Sequence, residues 1–233
     1  MRLPGPLYRL RRRLFGRYEL DDPRPHAREG PYTFELPTAE EIAAVMPGDL
    51  VKLIFRSIPA SAEWDAERMW VIVEAAEGDR LSGSLDNHPS DMPQLRPGAR
   101  IEFRRHQIIS IRWDEDRVVE PPPPPPPRRD YLDRCMVDRC VTVDRIPVHY
   151  LYREAPDLGQ EDDRYPDSGW RIRGDYRGLS DEEMEARESE YVALARVLNA
   201  DDGWVHLIDS PPGSAFIRDW DTGQFVPLER EDG

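Results

Sequence analysis

Seven consecutive prolines, Pro121 to Pro127, divide this chain. A proline has no backbone N–H for a helix or a sheet, and its ring fixes φ. Seven together favour a polyproline II rod, which at ~3.1 Å per residue spans roughly 22 Å. Such a rod sets a separation between folded parts, where a Gly/Ser linker would leave it loose. It also has the form of a ligand for an aromatic groove, but the spacer reading fits this context better. The chain has 233 residues, of which 39% are hydrophobic and 33% charged. That length and balance suit two modest cores better than one large one. We therefore expect a basic, Pro-rich tail over residues 1–30, a first domain over 31–116, a linker over 117–130 and a second domain over 131–230.

The charge is uneven. The chain carries 46 acidic and 32 basic residues, a formal net charge of −14, and Lys52 is its single lysine. Residues 128–233 hold 25 acidic and 14 basic groups, whereas residues 1–127 hold 21 and 18. The acidity thus belongs mainly to the second domain. Such a surface repels nucleic acid and anionic membranes and suits a basic protein partner. The arginine tail ahead of Tyr18 lacks the apolar centre of a secretion signal, and no stretch approaches the ~20 apolar residues of a membrane span. The expectation is a cytoplasmic protein without stable membrane insertion. Leu3, Leu7, Leu10 and Leu14 could line one side of a short basic helix, although a frayed, solvated terminus is the preferred reading.

Local patterning predicts an α+β fold in both halves. Thr38 and Glu41 form a capping box that opens a short helix through Val45. Leu50–Ile54, Met69–Val73, Arg80–Leu85, Ala99–Phe103 and Gln107–Trp113 read as five strands bounded by turn residues. Five strands at that spacing predict a small twisted sheet, or a partly open barrel of SH3 type. In the second half, Cys140–Val143, Val148–Tyr152, Gly169–Ile172, Trp204–Ile208 and Ser214–Arg218 read as strands of a mixed sheet. Ser180 and Glu183 form a second capping box. It predicts one main helix through Asn199, with Met184, Tyr191, Leu194, Ala195 and Leu198 on its packed face.

Candidate chemistry is sparse. Cys135, Cys140 and His149 are too few and too widely spaced for a zinc site, and no metal or cofactor is expected. Asp162, Asp163 and Asp167 lack the alternating spacing of a calcium loop. Ser168 lies beside Asp167, and His149 or His206 could serve it as a base. No nucleophile elbow surrounds it, and the Asp-Ser-Gly-Trp sequence reads as a turn that drops Trp170 into the core. No phosphate-cradling loop, HExxH or paired catalytic carboxylates occur. A hydrolase using Ser168 is therefore the outlying reading, and no catalytic residue is assigned.

Two resemblances add to these patterns. Gly48-Asp49-Leu50-Val51-Lys52-Leu53, Glu67-Arg68-Met69-Trp70-Val71 and Gly83-Ser84-Leu85-Asp86-Asn87-His88-Pro89 resemble a bacterial domain of unknown function typified by the YegJ-like proteins, over residues 35–113. That likeness implies a fold and no activity. Tyr152-Arg153-Glu154-Ala155-Pro156, Asp167-Ser168-Gly169-Trp170-Arg171, Gly174-Asp175 and Pro212-Gly213-Ser214-Ala215-Phe216 resemble the immunity protein 33 family, over residues 138–228. In that family the Gly-Asp pair is often followed by glutamate; here Tyr176 follows. The resemblance implies a non-enzymatic, cytoplasmic bacterial protein that neutralises a toxin of a polymorphic toxin system. Joined to the acidity of this half, it implies a basic toxin as partner. Glu154, Asp167, Trp170, Arg171, Asp175 and Tyr176 are the expected contact residues. The alternative is a stress or regulatory interaction module without a toxin partner.

Overall fold

The computed structural model describes residues 6–60, 64, 66–117, 123–124, 126–159 and 163–228, with side chains in the first helix described from Leu10 onward. It divides into two compact units: Met1–Arg28 with Phe34–Pro127, and Glu29–Thr33 with Arg128–Gly233. Both are α+β with short helices. The four described prolines of the central run lie in neither helix nor strand, while Pro121, Pro122 and Pro125 fall outside the described residues, so the rod expectation lies partly outside them too.

The first unit opens with α1 (Pro6–Phe15), β1 (Arg17–Leu20), α2 (Arg24–Glu29) and α3 (Ala39–Ala44). The strands β2 (Leu50–Ile58), β3 (Ala66–Glu77), β4 (Arg80–Leu85) and β5 (Arg100–Arg104) then form an antiparallel meander. One 3-10 turn, Arg105–Gln107, returns the chain so that β6 (Ser110–Arg112) pairs with β2. Strands β2 to β6 make the partly open barrel that the strand spacing predicts. Val51, Leu53, Phe55, Met69, Val71 and Ile101 point inward. Gly83 lies where β4 crosses close to β3, and a Cβ there would come within 1.9 Å of the Ile72 carbonyl oxygen. The Thr38 capping box forms as expected, Glu41 N–H donating to the Thr38 hydroxyl and Thr38 N–H to the Glu41 carboxylate.

The tail expectation is corrected. β1 pairs antiparallel with β2 from Arg17 opposite Ile58 to Leu20 opposite Phe55. Within α1 the arginine, not the leucines, is what packs. Arg12 is fully buried and donates to Asp91 Oδ1 (3.0 Å), the Asp91 carbonyl and Ser57 Oγ (2.8 Å), while Leu10 and Leu14 stay exposed. A buried charge tolerates the interior only when paired and hydrogen-bonded in this way.

The second unit is built on one mixed sheet. Its elements are β7 (Arg134–Asp138), α4 (Arg139–Val143), β8 (Val148–Arg153), β9 (Asp167–Gly174), α5 (Asp181–Glu185), β10 (Ser189–Ala193), α6 (Leu194–Leu198), β11 (Ala215–Arg218) and β12 (Phe225–Pro227). Strand order is β10-β7-β9-β8-β11-β12, with β7 and β9 parallel and every other pair antiparallel. One sheet face buries Val137, Leu151, Trp170, Ile172 and Phe216 beneath α6 residues and Trp204. The Trp170 indole N–H donates to the Ile208 carbonyl at 3.2 Å, and its ring meets Trp204 edge-on at 5.6 Å. Tyr32 docks on this unit, its N–H donating to Asn199 Oδ1 (2.9 Å) and its hydroxyl to Asp202 (3.0 Å). Burial first, then that carboxylate, raises the Tyr32 phenol to about 12.

Three local expectations are overturned here. The single helix from Ser180 to Asn199 is α5, β10 and α6 in succession. The Ser180 capping box starts α5 as predicted. Arg187 then donates to Asp138, the Gly174 carbonyl and the Asp175 carbonyl. That pins the chain beside β7, where Ser189–Ala193 pairs as an edge strand. Cys140–Val143 is helix α4, because the strand lies one segment earlier, at β7. Trp204–Ile208 holds a 3-10 turn, Val205–Leu207, closed by Leu207 N–H to the Trp204 carbonyl.

Candidate functional site

The sheet of the second unit has a second face, opposite the core. Along β9, Trp170 and Ile172 point inward, so Arg171 and Arg173 point outward. Pairing register sets the neighbours. Tyr152 lies opposite Arg171, Tyr150 opposite Arg173 and Ile217 opposite Tyr150. Val226 follows opposite Ile217, and Met136 lies beside Arg171 from β7. The Tyr150 and Tyr152 rings stack with centroids 5.4 Å apart at 26°. Helices α4 and α6 lie against the core side. What remains on the outer side is a half-buried row of Tyr150, Tyr152, Met136 and Ile217, with Arg173 exposed beside it and Arg171 buried under its carboxylates. Tyrosine, arginine and methionine are residue types that enrich the cores of protein interfaces.

Carboxylates lock the two arginines. Arg171 Nη1 and Nη2 grip Asp167 with both oxygens (3.0 and 2.9 Å), Nη2 also reaches Asp157 (2.6 Å), and Nε meets Glu154 (3.1 Å). Burial works to raise the Asp167 carboxyl. The Arg171 guanidinium and the N–H groups of Gly169, Leu158 and Asp157 outweigh it and hold the carboxyl below its usual range. Arg171 is raised in turn, first by its hydrogen bonds to Asp167. Gly169 has φ +81°, and a Cβ there would come within 2.1 Å of the Glu154 carbonyl oxygen, so only glycine lets β9 start this close to the Glu154 strand end. Further along, Arg173 Nη1 holds Asp138 Oδ1 (2.8 Å), while Asp138 Oδ2 accepts from Gly174 N–H (3.1 Å) and Arg187 (3.3 Å).

At one end of the face a groove of about 560 Å³ opens between Tyr150, Tyr176 and Met184, with Asp181 and Glu185 on its wall. Behind Tyr176 sits His149, its ring stacked on Tyr176 at 4.2 Å and edge-on to Trp220 at 5.2 Å. His149 Nδ1 is 3.3 Å from Asp175 Oδ1 but outside hydrogen-bonding geometry. Burial lowers the imidazole pKa, against the pull of Asp175. Asp175 itself is held at about 2, chiefly by its hydrogen bonds from Arg177.

The six expected contact residues separate on this geometry. Trp170 is wholly buried in the core on the opposite face, and Asp167 and Arg171 are interior members of the ion cluster. These three are corrected from contacts to supports, because at most 8% of any of these side chains is exposed and little of it can touch a partner. Glu154 joins the same cluster but keeps 39% of its side chain exposed. Asp175 and Tyr176 sit together at the groove. Sequence reasoning missed Tyr150, Tyr152, Met136, Arg173 and Ile217. The signal was present: Tyr150 and Tyr152 alternate with the buried Leu151, as Arg171 and Arg173 alternate with Trp170 and Ile172.

The other candidates take structural roles. The Ser168 hydroxyl donates to the Arg134 carbonyl (2.7 Å) and accepts from Trp170 N–H (3.3 Å) within the buried start of β9, which is strand where a turn was expected. Both cysteines are free, and burial raises the Cys135 thiol. Among the described residues no group of three or more His, Cys, Asp or Glu side chains is placed to hold a metal ion. No described helix is long and apolar enough to cross a membrane.

Residues 135–229 match the family model of the immunity protein Imm33 domain. The match runs from β7 through β12, so the second unit carries a domain of immunity-protein type, and with it the open face described above. No curated protein and no solved structure matches the chain.

Proposed function

We propose that this chain is a bacterial immunity protein that neutralises a toxin of a polymorphic toxin system in the cytoplasm, by binding it rather than by chemistry. The observation that carries the reading is the uncovered Tyr150–Tyr152–Arg173 face, which lies inside the Imm33-type domain and is braced by buried carboxylates. Locked side chains lose little entropy on docking, and tyrosine and arginine supply most of the affinity at interfaces of this kind. The excess of acidic groups in this half favours a toxin with a basic docking surface, such as a nuclease groove, and opposite potentials speed the encounter. The groove beside Tyr176 offers a polar side chain of that toxin aromatic walls, the carboxylates of Asp138, Asp181 and Glu185 and the guanidiniums of Arg173 and Arg187. Co-expression with a candidate toxin, sought among the products of the neighbouring genes, tests the reading. Wild-type chain should restore growth, and a Tyr150→Ala/Tyr152→Ala variant shown to remain folded should not. Equal growth with both variants, or none with either, contradicts it.

A further inference from the structure

Among the described residues, one face of the first unit carries cations that pair with no carboxylate. Along β3, Met69, Val71 and Val73 turn inward, so Arg68, Trp70 and Ile72 turn out. Register places Lys52 of β2 opposite Trp70, with Arg112 of β6 opposite the adjoining Leu50. Lys52 Nζ lies 4.5 Å from the Trp70 ring centroid and the Arg112 guanidinium 5.1 Å from it. Arg68 stacks over Phe34 at 5.1 Å. Among the described residues no carboxylate lies within ion-pairing distance of Lys52, Arg68 or Arg112, whereas Arg12, Arg56, Arg104 and Arg117 of the same unit each hold an aspartate.

The backbone that carries the ring is fixed from behind. Trp70 N–H donates to the Asn87 side-chain oxygen, and the Trp70 carbonyl accepts from Asp86 N–H at 2.9 Å. Glu67 accepts from the N–H groups of Ser90 and Asp91, both at 2.7 Å. The residues that make the Glu67–Val71 and Leu85–Pro89 segments distinctive thus bind the loop after β4 to β3 and hold Trp70 in place. Such a network explains the platform and leaves unexplained why three cations gather on it with no ion-pairing carboxylate among the described residues, in a chain of net charge −14.

We propose that Lys52, Arg68, Trp70, Ile72 and Arg112 form a docking site for an acidic peptide segment of a partner protein. An apolar side chain of the segment rests on Trp70 and the exposed Ile72, and its flanking carboxylates take the three cations. Cation–π contact holds Lys52 and Arg112 over the ring while their N–H donors stay available to an acceptor. Charge complementarity selects an acidic ligand. A nucleic acid is disfavoured, because three cations fall short of the roughly six to ten phosphate contacts of a strong binder and the remaining surface repels it. The site does not depend on the toxin-binding role of the second unit.

A labelled Asp/Glu-rich peptide with a single leucine, titrated into the full chain, tests this. Binding should weaken with added salt. It should fall about tenfold or more in Lys52→Glu/Arg112→Glu, a loss of ~1.4 kcal/mol, and stay unchanged in Arg80→Glu, which lies outside the patch. In the wild-type chain the peptide should shift the Trp70 indole resonance, a readout independent of whether any variant folds. No shift at saturating peptide, or equal affinity in the double variant, overturns the site. A single-stranded oligonucleotide of equal charge that binds as tightly and loses affinity in the same variant overturns the peptide assignment.

Discussion

Both units bury arginine–aspartate pairs, but they use them differently. In the first, the pairs join residues far apart in sequence. Arg12 meets Asp91 across 79 positions and Arg117 meets Asp49 across 68. These contacts fasten the two ends of the unit onto a barrel whose hydrophobic core is already complete. In the second unit, the Arg171–Asp167 pair is four residues long on one strand, and it gathers Glu154 and Asp157 around the same guanidinium. It fastens no terminus. It ties Glu154 and Asp157 to the start of β9 behind an uncovered aromatic face. The same chemistry closes a fold in one place and preorganises a surface in the other.

The contrast can be broken by mutation. Arg171→Leu should be the most damaging change, at about 3–5 kcal/mol, because it leaves the buried Asp167 without its partner and frees two further carboxylates. Urea unfolding followed by tryptophan fluorescence measures it, and a loss under ~1 kcal/mol would mean that the cluster is not the brace described. Arg12→Met should cost less, about 2–3 kcal/mol, since it strands only Asp91 and restores some apolar volume. It should leave toxin affinity unaltered, and a parallel loss of affinity would erase the distinction between the units. Tyr152→Ala should shift stability by ~1 kcal/mol, the scale of one aromatic pair.

The smallest effect concerns pH. The His149 pKa is lowered in the folded chain by burial. Below its unfolded value near 6.5, the unfolded chain binds a proton that the folded one resists. Stability should therefore fall as pH drops from 6.5 towards the folded pKa, and His149→Phe, which keeps a ring against Tyr176, should flatten that part of the profile. A steeper profile in the variant would reverse the assignment.

Much of the fold was legible because it is local. The capping boxes at Thr38 and Ser180 and the five barrel strands follow from side-chain spacing and turn residues alone. What escaped was set by partners distant in sequence. β1 is four residues among arginines and prolines, and it is a strand only because β2 offers an edge. β10 carries helical spacing, but Arg187 holds it to β7. Arg12 reads as tail charge until Asp91 and Ser57 surround it. The site was half legible. The segments around Glu154, Trp170 and Asp175 lie on the same strands as the open face, yet the inward-outward alternation of β8 and β9 decides which of their residues are exposed on it. Trp170 supports the face from beneath, and Tyr150, Tyr152 and Arg173 form it.

The central claim is that this open face is the docking surface, and one affinity comparison tests it most directly. Arg173→Ala leaves Asp138 with Arg187 and the Gly174 N–H, so Tyr150→Ala/Arg173→Ala should remain folded. Measured by calorimetry against a protein that the wild-type chain captures and binds, the double variant should bind at least ~100-fold more weakly than wild type. An affinity within about twofold of wild type would place the interface elsewhere on the molecule.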